Sequence, residues 1–124
     1  MYQKLTLIGN VGKKPELRVT AAGKSVCTFS VATNKSYKQD GVVNEQVCWW
    51  RVTVWGDQAE NVAKYVDKGS LVLVEGEVTP DTTGNPRLYQ VKDGTWASGY
   101  DMRAQTVRFL DRKAEKELDD DYQF

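Results

Sequence analysis

A small closed β-barrel carrying one helix is the fold class that the sequence predicts. Three observations carry it. Apolar and polar residues alternate with period two along most of the chain, one stretch stands out with helical spacing, and Gly, Pro and Asn punctuate the segments at short intervals.

Taken in order, "KLTLIGNV" reads as a first strand broken near Gly9-Asn10, with Gly12 and Pro15 as further punctuation and "ELRVT" continuing it past the break. "AAGK" supplies a turn, and "SVCTFSVATN" then alternates so that Cys27, Phe29 and Val31 share one face. In "KSYKQDGVVNE" the alternation is lost around Asp40-Gly41, which predicts a hairpin loop with frayed flanks. "QVCWWRVTVWG", rich in Val and Trp, is the strongest strand of the chain.

Helical spacing occupies "DQAENVAKYVDKG". Asp57 is placed to cap and Glu60 follows three residues later, the spacing of a capping box. Ala59, Val62, Ala63 and Val66 form the buried stripe, and Gly69 is placed to stop the helix. "SLVLVEGEV" is the next strand, residues 79–100 read as a long hairpin or lobe, and "MRAQTVRFL" is the last strand. The expected architecture is therefore all-β with one helix: a five-stranded Greek-key barrel with the helix between strands 3 and 4. That is the OB architecture, whose strand face and loops bind oligonucleotides and oligosaccharides.

The 124 residues suffice for one domain with a real core, and 40% hydrophobic with 27% charged residues is an ordinary globular composition. Residues 1–110 are expected to form the barrel domain and 111–124 a short acidic tail. That tail holds six acids and three bases, which leaves 14 bases and 11 acids for the body. A mildly basic body suits an anionic ligand, with the acidic end competing for it or serving a separate partner. No apolar run approaches a membrane span and the start lacks the layout of a secretory signal, so no membrane partner is expected. Two cysteines, Cys27 and Cys48, make neither a disulfide framework nor a metal cluster, which predicts a cytoplasmic setting, small buried hydrophobes and no metal site. Histidine is absent altogether, removing the commonest general base and metal ligand. A non-enzymatic protein without a cofactor is the expectation, and no catalytic residue is assigned.

The chemistry concentrates in Val47 to Trp55. Cys48, Trp50, Val52 and Val54 fall on one face, apolar throughout and suited to a core. The other holds Val47, Trp49, Arg51, Thr53 and Trp55, two indoles flanking an arginine. An interior rarely takes that arginine without a partner, and a plain surface rarely takes two tryptophans. A base-stacking surface satisfies both: each base stacked on an indole contributes about 1–3 kcal/mol, and the guanidinium neutralises a phosphate. The structural alternative packs Trp49 and Trp55 under the 79–100 lobe or in a subunit interface. Tyr37 between Lys35 and Lys38, and Arg87, Tyr89, Lys92 and Trp96 in the lobe, add basic residues interleaved with aromatics, a mixture suited to single strands.

"LIGNVGKKPELRVTAAGKSVCTFSVATN", "CWWRVTVWGDQAENVAKYVDKGSLVLVEGEV" and the closing "DDDYQF" together resemble the bacterial-type single-stranded DNA-binding proteins, including those of phages. The similarity runs from about Leu5 to Val78, is weaker from 79 to 110, and returns at the tail. It implies an OB fold, usually a homotetramer, that wraps single-stranded DNA. Trp49 and Trp55 match family stacking positions with Arg51 between them, and Tyr37 stands where a tryptophan is common. Arg18, in Pro-Glu-Leu-Arg, matches a position that commonly meets the phosphate backbone. The resemblance also accounts for an end that sets three carboxylates, Asp119, Asp120 and Asp121, beside a terminal Phe124: family tails of this kind dock on replication and repair proteins. This chain departs from the pattern in three places. It lacks the long Gly/Pro/Gln-rich linker, carries Trp50 where a histidine associated with subunit contacts is common, and has Pro80, Asp81 and Pro86 in place of a basic-aromatic stretch.

The function expected on these grounds is sequence-independent binding of single-stranded DNA in replication, recombination and repair. Trp49, Trp55 and Tyr37 stack bases, Arg51, Lys35, Lys38 and Arg18 contact phosphate, and Arg87, Tyr89 and Trp96 offer further lobe contacts. Stacking and phosphate contacts accept RNA as well as DNA. The runner-up is an OB-fold, primosome-type adaptor working through protein contacts. A third reading, an oligosaccharide-binding barrel, explains neither the cations nor the tail.

Overall fold

Alternation of branched and polar side chains builds seven strands and one helix within residues 1–110, the part of the chain that the computed structural model describes. The tail reading of residues 111–124, with Asp119, Asp120, Asp121 and Phe124, lies outside the described residues. The elements are β1 (Leu5–Val11), β2 (Glu16–Val19), β3 (Ser25–Gln39), β4 (Val42–Trp55), α1 (Asp57–Tyr65), β5 (Leu71–Val78), β6 (Arg87–Gln90) and β7 (Trp96–Phe109).

Pairing runs β1–β5–β7–β4–β3, and β1 returns to β3 through Asn10 opposite Ala32 and Val11 opposite Val31. Five strands thus close on themselves as the OB barrel, with α1 between the third and fourth of them. The β4–β7 pair is parallel, and the remaining pairs are antiparallel. β2 is the continuation of the first strand past its break, running back along Ser25–Thr28 of β3. β6 adds a hairpin to the start of β7.

Inside, the core is built largely of valine. Val31, Val52, Val72 and Val74 keep no exposed surface, and Cys27, Phe29, Val54 and Met102 pack with them. Each such side chain contributes about 1.5–3 kcal/mol on leaving water. Among the described residues no polar or charged side chain is buried. Ala59, Val62 and Val66 join the core, which is how α1 plugs the barrel with the expected stripe.

Backbone crowding decides two glycines. A Cβ on Gly9 would collide with the carbonyl oxygen of Ala32, where β1 meets β3, and one on Gly76 would collide with that of Arg103. Gly76 marks a bulge: Glu75 pairs with Thr106 but Gly76 with Ala104, so Gln105 has no partner in β5. Gln58 of α1 takes up the slack. Its Nε2 donates to the Gln105 carbonyl (2.6 Å) and its Oε1 accepts from the Val107 amide (3.1 Å). One side-chain amide therefore imitates a strand neighbour and ties the helix to β7.

Several boundaries differ from expectation. Residues 35–39 and 42–45 are strand rather than loop, because Asp40 (φ 52°) and Gly41 (φ 79°) both take positive φ and close a two-residue turn whose twist suits the ladder. Alternation vanishes there because the ribbon stands clear of the core on both faces. Gly56, not Asp57, is the N-cap, without a side-chain cap, while Glu60 Oε1 accepts from Ser25 Oγ instead of closing a capping box. The helix ends at Tyr65 with Val66 as C-cap, and Gly69 donates its amide to the Val11 carbonyl (2.7 Å) rather than stopping the helix. β7 begins at Trp96, not Met102. No helix among the described residues is long and apolar enough to cross a membrane.

Replacing Gly76 with alanine is expected to destabilise the fold by about 1–3 kcal/mol through overpacking at the bulge. Urea unfolding checks it: the midpoint falls while the slope against denaturant stays that of the parent.

Candidate nucleic-acid interface

The pleat of β4 sorts its side chains as expected. Val52 and Val54 are buried and Cys48 and Trp50 half-buried, while Trp49 (53% exposed), Arg51 and Trp55 (39%) face outward. Residues opposite one another across the ladder share a face, so the pairing register extends this surface in rows. Arg18 of β2, Val26 of β3 and Trp55 form one row; Thr28, Thr53 and Arg103 form the next; Ser30, Arg51 and Asp101 form a third. Arg18, Thr28, Arg51, Thr53 and Trp55 line an open pocket of about 410 Å³. Two guanidinium groups, two hydroxyls and an indole wall can together receive a phosphate with its adjoining flat ring. Thr53 is on the outer face read from the sequence, whereas Thr28 was not singled out. Twenty-five residues separate them, and only the β3–β4 register makes them neighbours.

Trp49 owes its posture to Gly12. A Cβ at position 12 would stand 2.6 Å from Cζ3 of the indole and 2.7 Å from Ser30 Oγ, so the missing side chain lets the ring lie against the backbone of the β1–β2 connection. The Gly12 amide donates to the Ser30 carbonyl (3.0 Å), which fixes that backbone on β3.

The remaining candidates divide. Lys38, opposite Val43, lies on the Trp49 side of the β3–β4 ribbon near its tip. Lys35 and Tyr37 alternate to the other side, the one continuous with Cys27 and Phe29. Within the lobe, Tyr89 opposite Ala97 and Arg87 opposite Gly99 share the face of Asp101, and hence of Arg51. Trp96 (68% exposed) points the other way, with Leu88 and Tyr100. Tyr100 packs on Trp50 at 4.9 Å between ring centroids, tilted 35°, so Trp50 bridges from the core to that second face. The fold thus gathers Arg18, Trp49, Arg51, Trp55, Arg87 and Tyr89 on one side and sends Tyr37, Lys35 and Trp96 to the other.

Charge on the lobe is arranged by short-range hydrogen bonds. Arg87 Nε donates to Asp101 Oδ2 (2.8 Å), and that bond raises the guanidinium pKa above its ordinary value. Asp81 accepts from Thr83 and Asn85, and Asp93 from Thr95, which holds both carboxylates below the usual range. Burial pushes the Cys27 thiol up to about 11, as suits an inert core group. Both cysteines are free. Among the described residues no cluster of three or more Cys, Asp or Glu is disposed to hold a metal ion.

Comparison with known proteins bears on the family and the fold. The single-strand binding protein family model matches residues 2–110. A single-stranded DNA-binding protein of Neisseria meningitidis serogroup A is 36% identical over 108 residues, covering 86% of this chain, which spans 59% of that relative's length. Single-stranded DNA-binding protein B of Bacillus subtilis is 34% identical over 121 residues, 97% of this chain and 100% of the relative. Among solved structures, a Plasmodium falciparum SSB in complex with ssDNA superposes with a TM-score of 0.72 at 24% identity, covering 90% of this chain and 97% of that one. A small single-stranded DNA-binding protein from Streptomyces coelicolor gives 0.69 at 20%, covering 86% and 93%. At these identities the two structures speak to the fold alone, and they agree on it. With the match spanning all seven strands and the helix, the chain belongs to the single-strand binding protein family.

Proposed function

We propose that this protein binds single-stranded DNA without regard to sequence, bases stacking on Trp49 and Trp55 while Arg51 and Arg18 neutralise phosphates. One observation carries the reading: two half-exposed indoles flank an arginine on a strand whose opposite face is core, so packing gives those rings no reason to be there. Thr28 and Thr53 add neutral hydrogen bonds between the cations. Stacking and charge are indifferent to base edges, hence the lack of sequence preference. Lys38 extends the path toward the ribbon tip, while Tyr37 and Lys35 meet a strand that passes over to the ribbon's other side. As a member of its family the chain is a binding protein and not an enzyme.

The wider role follows from that activity: covering single strands in replication, recombination and repair, in the cytoplasm of a bacterium or of a phage's host. Residues 1–110 act as the DNA-binding domain, and 111–124, ending in Asp119, Asp120, Asp121 and Phe124, recruit replication and repair proteins. A homotetramer is the expected assembly, with exposed Tyr100, backed by half-buried Trp50, among the surfaces available for subunit contact.

Titration of intrinsic tryptophan fluorescence with oligo-dT, beside a duplex control, is the direct test. Strong quenching by the single strand only, weakening with salt, is expected; absence of quenching at low salt moves the indoles to an interface and gives first place to the primosome-type adaptor. Trp55→Ala should cost about 1–3 kcal/mol of binding free energy on every sequence alike. A loss confined to one sequence contradicts the reading. Gly12→Val is expected to weaken binding by about 1 kcal/mol, because it dislodges a stacking ring; the same change made on a Trp49→Phe background should cost clearly less. Deleting residues 119–124 should keep or strengthen DNA affinity and abolish capture of partner proteins; retained capture removes the role given to the tail.

A further inference from the structure

Strand β2 lies at the end of the sheet beyond β3, and each of its four residues is exposed. Leu17 (42% exposed) and Val19 (67%) are apolar side chains on an edge that no strand covers among the described residues. Register fixes the direction of the backbone groups. The Thr20 amide donates to the Lys24 carbonyl (2.9 Å), toward β3, and the pairing of Glu16–Val19 with Thr28–Ser25 carries the same alternation back along the strand. The amides of Glu16 and Arg18 therefore turn to β3, while those of Leu17 and Val19 turn outward. An edge of this kind is a template for another strand.

The side chains say which strand fits. Glu16 and Arg18, an acid and a base astride Leu17, share the outer face of Thr28, Thr53 and Trp55. An antiparallel copy of β2 centred on Leu17 sets Glu16 opposite the second copy's Arg18, and Arg18 opposite the second copy's Glu16. Opposed residues at those positions have Cα atoms about 4.5 Å apart, so both ion pairs can form. Leu17 meets its own copy and exchanges both backbone hydrogen bonds with it. Val19 lies against the second copy's Pro15, which has no N–H and ends the ladder. Such self-complementarity is what a two-fold contact requires. A parallel pairing in register would instead set like charges side by side.

Building on the proposed binding of single-stranded DNA, we infer that two copies of this chain bound as neighbours on one strand pair edge to edge through β2, and that this contact makes binding cooperative. The β4–β3–β2 sheet of one copy then continues into β2–β3–β4 of the next, with both Arg18–Arg51–Trp55 pockets on the same side. A four-residue edge falls far short of the roughly 1,200–2,000 Å² that a stable interface buries. The pairing therefore forms where the nucleic acid holds two copies at high effective concentration.

Two lengths of oligo-dT test this with the full chain, one that takes a single protein assembly and one long enough for several. Leu17→Pro removes an outward N–H that the fold does not use. It should leave affinity for the short oligomer unchanged and lower cooperativity on the long one several-fold. Glu16→Arg, which sets like charges opposite one another, should also lower cooperativity without weakening short-oligomer binding. Adding Arg18→Glu to Glu16→Arg exchanges the signs, so cooperativity should return even though short-oligomer affinity falls with the loss of a phosphate contact. Leu17→Cys on a Cys48→Ser background should form a disulfide between copies on the long oligomer and not on the short, the opposed Cα atoms being about 5.5 Å apart. Lys24→Cys, on the turn beyond the strand, should form none. Urea midpoints near the parent's show that the variants fold. Unchanged cooperativity in both Leu17→Pro and Glu16→Arg overturns the inference, as does Leu17→Cys cross-linking that is equal on the two lengths or absent from both. If the parent fails to bind the short oligomer, the DNA-binding reading falls, and this one with it. If it binds the short oligomer but covers the long one without cooperativity, only the edge pairing falls.

Discussion

The pleat of a single strand governs this molecule. Val52 and Val54 of β4 are held in the core, so Arg51, Thr53 and Trp55 must face outward, and a slip of one residue would exchange the two sets. Two contacts prevent that slip. The Asp40-Gly41 turn fixes β4 against β3 at the ribbon tip, and the parallel pairing of Trp50–Val54 with Tyr100–Ala104 fixes its other edge. Barrel stability and binding surface are thus two sides of the same register.

Closure depends on close approach at two places. β1 can reach β3 because Gly9 leaves space for the Ala32 carbonyl, and β5 can follow β7 past its bulge because Gly76 leaves space for that of Arg103. The groups released at the bulge are not left to water. Gln58 meets both, so the plug helix is oriented by polar contacts as well as by the apolar surface of Ala59, Val62 and Val66.

Much of the fold was legible because it rests on local pattern. The Cys27–Phe29–Val31 face, the two faces of Val47–Trp55 and the Ala59–Val62–Val66 stripe all follow from periodicity within one segment. What was missed depends on neighbours distant in sequence. Residues 35–45 lack alternation because the ribbon has no core to face, so pattern could not reveal a strand pair held by its turn and its own ladder. Glu60 looked like a capping partner until β3 brought Ser25 to it. At the site, Trp49, Arg51 and Trp55 were visible as one strand's outer face, whereas the company of Arg18, Thr28 and Arg87, and the separation of Tyr37 and Trp96, required the register of β2, β3, β6 and β7.

The core contains no buried charge among the described residues, the chain contains no histidine, and the fully buried thiol of Cys27 titrates only near 11. Histidine is the side chain whose ordinary pKa falls between pH 5 and 8. With no histidine in the chain, no imidazole stands among the outward-facing arginines and indoles of β4 and its neighbours. The commonest proton-driven means of releasing an anionic ligand, discharge of an imidazolium, is therefore missing from this surface. What such a surface does respond to is ionic strength, which screens the exposed guanidinium groups of Arg18 and Arg51.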